Sequence, residues 1–212
     1  MNNFAGEATM FREIAPSLWQ CWPVFIFQQV LEGIAELNTR LADAILTRAA
    51  TEPSAQASNA AAWQSASDFF GHHDADRAFL VERINAVTGQ MNRLCGINAD
   101  DFNVILEGWS VVNRSGHHHN HHIHHSSVWS GVYYVRMPTG STPASSRDGS
   151  IEFIDPRHAA PVTARSVRTI RPVSGSLLLF PSWLEHWVHP HYEAGERISV
   201  PFNIYLMPRI TS

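Results

Sequence analysis

Residues 127–137 read SVWSGVYYVRM, a short β-branched and aromatic run with the composition of a strand. Six further stretches share it. NVILEGWSVVN (103–113) precedes it, and GSIEFID (149–155), SVRTIRPV (166–173), GSLLLFPS (175–182), EHWVHP (185–190) and RISVPFNIYLM (197–207) follow. Turn residues at Pro138–Gly140, Asp148–Gly149, Asp155–Pro156 and Gly175 separate them. Seven or so short strands at this spacing predict a mainly β fold, a sandwich or barrel with helices packed on its outside.

The first half of the chain follows a helical period. From Gln28 to about Arg48, apolar residues recur at three- and four-residue steps (Leu31, Ile34, Leu37 or Asn38, Leu41, Ile45), which predicts one buried helix face. A second helix is expected over Asp76–Cys95, with Leu80, Ile84, Val87, Met91 and Leu94 as its stripe, Asp74 or Asp76 as its cap and Gly96 as its stop. Between them TEPSAQASNAAAWQSASDFFGHHD (51–74) reads as a long loop. We expect one domain over 1–212, in which a helical and loop layer (1–102) supports a β core (103–212).

Composition excludes several classes. The net charge of −4 and the pI near 6.3 make no electrostatic case for nucleic acid or an anionic membrane as partner. The two cysteines, Cys21 and Cys95, lie far apart, which speaks against a disulfide framework or a cysteine zinc site and for a reducing compartment. The first residues lack the pattern of a signal peptide, and no apolar run approaches the roughly 20 residues of a membrane helix. The expected address is the cytoplasm.

Residues 117–125 read HHHNHHIHH, seven histidines in nine positions. On a strand, residues i and i+2 point to the same side, so an H-x-H pair is a two-point chelate. The pairs on offer are His117/His119, His119/His121 and His122/His124. His122/His124 lies nearest the strong strand that follows and is placed at the mouth of the β core, with the earlier histidines more solvated. His186, just after the tight turn at Pro181–Trp183, is the candidate third ligand. In the last strand Arg197, Ser199, Pro201 and Asn203 share one side, opposite Ile198, Val200, Phe202 and Ile204. An arginine and a serine facing inward would need an anionic partner, and a guanidinium beside a hydroxyl suits a carboxylate. The same side would be unremarked on a solvent-facing edge strand, and both readings stand at this point.

Taken together, HIH (122–124) before SGVYYV (130–135), then IEFIDPR (151–157), GSLLLFPSWLEH (175–186) and ERISVPFN (196–203), resemble the iron(II)- and 2-oxoglutarate-dependent oxygenases, in a branch of bacterial and phage members. QASNAAAWQS (56–65) resembles a Ser-Asn…Gly-Trp-Gln-Ser segment of that branch, so the likeness runs over most of the chain. The resemblance implies a double-stranded β-helix, a jelly roll open at one end. It implies iron(II) held by His122, His124 and His186, and 2-oxoglutarate held by Arg197 with Ser199. It implies O₂ as second substrate and oxidative decarboxylation to succinate and CO₂, coupled to hydroxylation of a C–H bond in a small molecule or side chain. His124 stands where Asp or Glu is common in such sites, and His125 where a proline often follows.

Other residues carry weaker expectations. Trp109, Asn113, Trp129 and Tyr133 are pocket candidates or core; Asp155 and Arg157 are expected to pair across a turn. His189 and His191 could replace a metal ligand under another register, and His72 and His73 are expected in solvent. Two rival functions stay open: a three-histidine, cupin-like metalloenzyme without 2-oxoglutarate, and a histidine-rich metal-binding protein. Monomer and homodimer are equally compatible with the chain.

Overall fold

A strand with apolar side chains on both faces needs cover on both, and residues 129–136 receive it. In the computed structural model, which describes residues 11–55, 59–60, 62–138, 146–157 and 166–209, the described residues form fourteen strands and two α-helices. In chain order these are β1 Phe11–Ala15, β2 Leu18–Cys21, β3 Phe27–Val30, α1 Ala35–Thr51, β4 Asn59–Ala60, β5 Trp63–Gln64, α2 Ala75–Leu94, β6 Phe102–Gly108 and β7 Val111–Asn113. There follow β8 His118–His122, β9 Trp129–Arg136, β10 Ile151–Ile154, β11 Val167–Ile170, β12 Ser176–Pro181, β13 His186–Val188 and β14 Arg197–Pro208.

The strands make two large antiparallel sheets. One has the order β3-β12-β9-β14-β7-β5, with β6 also paired to β14; the other runs β11-β10-β13-β8-β4. β1 and β2 form a ribbon of their own. Alternation along β9 divides the cores. Trp129, Tyr133 and Val135 face α1 and α2, meeting Leu37, Leu41, Ile45, Leu80, Ile84 and Met91. Val132 and Tyr134 face the other sheet, with Ile151, Phe153, Leu178, Phe180 and Leu184. The polar tips on the helix side are matched by helix asparagines: Trp129 Nε1 donates to Asn92 Oδ1 at 2.8 Å and the Tyr133 hydroxyl to Asn38 Oδ1 at 2.6 Å. Trp129 and Tyr133 are therefore core, not pocket.

Two sequence expectations need correction. The first helix begins at Ala35, not Gln28, because Phe27–Val30 pairs with β12 as an edge strand and Gly33, at φ +68°, turns the chain before the helix. Segment 51–74 is not simply loop: β4 pairs with β8 and β5 with β7, so the N-terminal half extends both sheets. The second helix is as expected, with the Asp74 side chain accepting from the Arg77 amide at 2.9 Å and Gly96 at φ +70° beyond its end. Its last stripe residue, Leu94, is exposed instead of buried. No helix among the described residues is long and apolar enough to cross a membrane.

Candidate metal centre

β8 and β13 lie side by side, and their register brings the histidines together. His186 is opposite His122, while Val188 is opposite His119, so two residues of β8 (Asn120 and His121) face one of β13. That bulge puts His119 and His122, three apart, on the same interior side, where regular alternation would have separated them. His124 lies beyond the strand end, anchored by its amide to the Ser182 carbonyl at 2.9 Å. One donor atom from each of His122, His124 and His186 lies within 4.8 Å of the other two. Ring centroids are 4.3 Å apart for His122–His186, 5.1 Å for His122–His124 and 5.4 Å for His124–His186.

The tautomers of two of them are set by carbonyls, which only accept. His122 Nδ1 sits 2.7 Å from the Asn120 carbonyl and His186 Nδ1 2.8 Å from the Leu184 carbonyl, so each Nδ1 carries the proton and each Nε2 keeps its lone pair. Burial disfavours the charged imidazolium and lowers all three: His186 to about 3, assisted by its histidine neighbours, His124 to about 4, and His122 below its ordinary value despite the Asn120 carbonyl. Neutral imidazoles with converging lone pairs are what a divalent transition metal takes. No carboxylate or thiolate joins the group among the described residues. Glu185, beside His186 in the chain, instead meets His121 Nδ1 at 3.3 Å.

Arg197 sits on the wall of the same cavity, which has a volume of about 220 Å³ and also contains Ser199, Tyr134, His119, Trp109 and Gln64. It is 1% exposed, in an interior strand, so the edge-strand reading of this side of β14 is wrong. Nη1 donates to the His189 carbonyl at 3.2 Å, and Nη2 is buried with no partner among the described residues. Burial lowers the guanidinium to about 10, leaving it a cation at neutral pH. A buried cation with an unused donor is costly unless an anion meets it. Ser199, the next interior residue of β14, is also buried.

The other expectations sort cleanly. Trp109 lines the cavity, its ring 6.3 Å from that of His124, whereas Asn113 is buried behind His119 and outside the lining. His189 turns to Glu152 at 3.3 Å and His191 to the Asn113 carbonyl at 3.3 Å, so neither enters the histidine trio. Asp155 and Arg157 pair as expected, and His72 and His73 are exposed. His119 and Tyr134 were missed. His119 is expected among the more solvated histidines because the bulge is invisible to a period of two, and Tyr134 is not distinguished from its neighbour Tyr133, which has the same composition and the opposite face.

Residues 107–203 match the model of the family described as "Putative 2OG-Fe(II) oxygenase", a span that includes all three histidines and Arg197. That span is similar to the 2OG-Fe(II) oxygenases. The fold is the double-stranded β-helix found in that group. It resembles the crystal structure of a Pseudomonas putida prolyl-4-hydroxylase (TM-score 0.63, 17% identity, 87% of this chain and 92% of that one). It also resembles a Trichoplax adhaerens prolyl hydroxylase solved with a hypoxia inducible factor peptide fragment (0.59, 16%, 86% and 83%). A third similar structure is HygX from Streptomyces hygroscopicus with nickel and 2-oxoglutarate bound (0.51, 12%, 87% and 84%). No curated protein matches the sequence.

The cofactors of the family, iron(II) and 2-oxoglutarate, fit the groups that this cavity presents. Three neutral imidazoles converge at one place, and an unpartnered cationic donor stands on the same cavity wall to receive a carboxylate.

Proposed function

We propose that this oxygenase hydroxylates a C–H bond of a small molecule or an amino-acid side chain, holding iron(II) on His122, His124 and His186 and the far carboxylate of 2-oxoglutarate on Arg197 and Ser199. The observation that carries the reading is the buried, half-satisfied Arg197 on the wall of the cavity in which the three histidines meet. With both bound, the pair supplies oxidative decarboxylation of the 2-oxo acid with O₂ and the oxidising equivalent that hydroxylates the substrate.

The chain's own residues do the rest. His122 and His186 present Nε2 because their Nδ1 protons are committed to carbonyls, so the ligand lone pairs are aimed before metal arrives. The His189 carbonyl orients Arg197. Phe180, Phe153 and Ile151 surround the His186 side of the cavity and restrict water there. Trp109, beside His124, and Gln64 line the cavity, and the substrate's reacting carbon is placed against them. We assign residues 1–212 to one domain and the protein to the cytoplasm, consistent with free Cys21 and Cys95.

The test is anaerobic titration of the iron(II)-loaded protein with 2-oxoglutarate, followed by the weak visible charge-transfer band of the chelate. The band is expected in the parent, absent in His186→Ala, and displaced to at least about 30-fold higher 2-oxoglutarate in Arg197→Ala, since truncating one partner of a buried charge pair costs about 2–5 kcal/mol. Tight binding of one iron per chain with no band at any concentration would sink the 2-oxoglutarate assignment. Several loosely held metals per chain would sink the site as drawn.

A further inference from the structure

His119 has no role in the site as described, yet it is held with care. The bulge in β8 turns it into the cavity on the same wall as Arg197 and Ser199. Its Nε2 lies 3.2 Å from Asn113 Oδ1. Asn113, 1% exposed, stands directly opposite Arg197 in the β7–β14 ladder, and its Nδ2 is buried with no partner among the described residues. The half-buried His119 and the buried Asn113 and Arg197 therefore sit together, and among the described residues Asn113 and Arg197 each hold an N–H that nothing accepts.

The two ends of an asparagine amide have the same shape, and their assignment follows the hydrogen-bond network. Turned by half a revolution, the Asn113 amide donates Nδ2–H to His119 Nε2 and exchanges the orphaned donor for a carbonyl oxygen, which is left bare less rarely than an N–H. His119 Nε2 must then be the bare nitrogen and Nδ1 the protonated one. Among the described residues Nδ1 has no protein partner. Burial, then the charge of Arg197, holds this imidazole neutral, so it carries a single N–H and the tautomer alone decides whether it offers the cavity a donor or a lone pair. Beside a cationic arginine waiting for an anion, a donor adds to binding and a lone pair subtracts from it.

We propose that His119 is a further binding residue for the carboxylate that pairs with Arg197, donating Nδ1–H to it, and that Asn113 is the positioning residue that sets this tautomer. The inference rests on the carboxylate reading of Arg197 under Proposed function. Asn113 acts through His119 and does not touch the ligand.

The experiment is calorimetric titration of the anaerobic iron(II)-loaded protein with 2-oxoglutarate and, separately, with pyruvate, a 2-oxo acid without the far carboxylate. His119→Phe and Asn113→Asp are expected to weaken 2-oxoglutarate about 10- to 100-fold, the range of a hydrogen bond to a charged group. Pyruvate affinity and one metal per chain should be unchanged. His119→Gln, which restores an N–H, should stay within about threefold of the parent, a rescue that bulk packing alone would not explain. Nitrogen-15 spectra of the parent should show His119 as the Nδ1–H tautomer, a readout that needs neither metal nor turnover and stands if Asn113→Asp fails to fold. An Nε2–H signal, equal losses for 2-oxoglutarate and pyruvate, or unchanged 2-oxoglutarate affinity in His119→Phe while Arg197→Ala loses it, would each overturn the proposal. Unchanged affinity in Arg197→Ala would instead remove the underlying carboxylate reading, and this inference with it.

Discussion

His124 is where this site departs from the two histidines and one carboxylate usual in such oxygenases. A third neutral imidazole leaves a bound divalent ion one unit more positive than a carboxylate would. The cavity then presents that charge, and the Arg197 cation, to a doubly negative cosubstrate. Two unit charges 4 Å apart interact by about 4 kcal/mol at an effective dielectric constant of about 20, so replacing His124 by aspartate should be felt by the anion as well as by the metal. We expect His124→Asp to keep one iron per chain and to weaken 2-oxoglutarate at least about tenfold, measured by anaerobic calorimetry. Equal or tighter cosubstrate binding in that variant would show that charge at this ligand position does not govern affinity. The residue types of the trio were legible in the sequence, as was Arg197, because H-x-H, a distal histidine and R-x-S are local patterns. The fourth cavity histidine was not, because seven histidines in nine positions offer no local signal for which of them a bulge turns inward.

β9 and β14 show how an element's register decides function. Gly131 lies opposite Phe202, whose ring covers it; a Cβ there would come within 2.3 Å of the ring and 2.4 Å of the Leu178 carbonyl. Space, not backbone conformation, explains the glycine. Gly131→Ala should cost about 1–3 kcal/mol, as overpacking does, seen as a lower urea midpoint with an unchanged slope. Stability equal to the parent would mean that the Phe202 ring moves freely. The apolar period of these strands predicted their existence, and the alternation of Arg197, Ser199 and Pro201 on one side of β14 was readable in advance. What alternation left open was which side is cavity: both sides of β9 and β14 are buried, one beneath helices and one between sheets, and composition does not distinguish those covers. The small strands β4 and β5 were unreadable for another reason. Two-residue strands carry no period, and only β8 and β7 waiting beside them make these segments extended.

Across the whole molecule, the outer side of the sheet that carries the trio is tied together by one buried carboxylate. Glu152 accepts from Trp187 Nε1 at 3.1 Å, Thr169 Oγ1 at 3.0 Å and Arg147 Nη1 at 3.0 Å, with His189 Nε2 at 3.3 Å. It thereby joins β10, β11 and β13. Burial alone would raise its pKa; the bonds from Trp187, Thr169 and His189 and the charge of Arg147 outweigh that and hold it below the ordinary carboxylate value. A pKa lower in the folded than in the unfolded state means that this stabilisation is complete above about pH 4.3 and is lost as pH falls through the folded value. Glu152→Gln should therefore be less stable than the parent by about 1–3 kcal/mol near neutrality, and the gap should close as pH drops below about 4. Urea midpoints measured from pH 3 to 7 give the answer, and a gap independent of pH would show that the ionised form has no special part.

By itself the sequence determined the class of fold, the two helices and the chemistry of the site. Those rest on local periods, on residue types and on short motifs that survive without their surroundings. The tertiary structure decided which histidines converge, that Arg197 is buried and unpaired, and that the first half of the chain lends strands as well as helices. Each of these depends on what lies opposite a residue in a neighbouring strand, and a partner 98 positions away in the chain, as Glu107 is from Tyr205, leaves no trace in a local window.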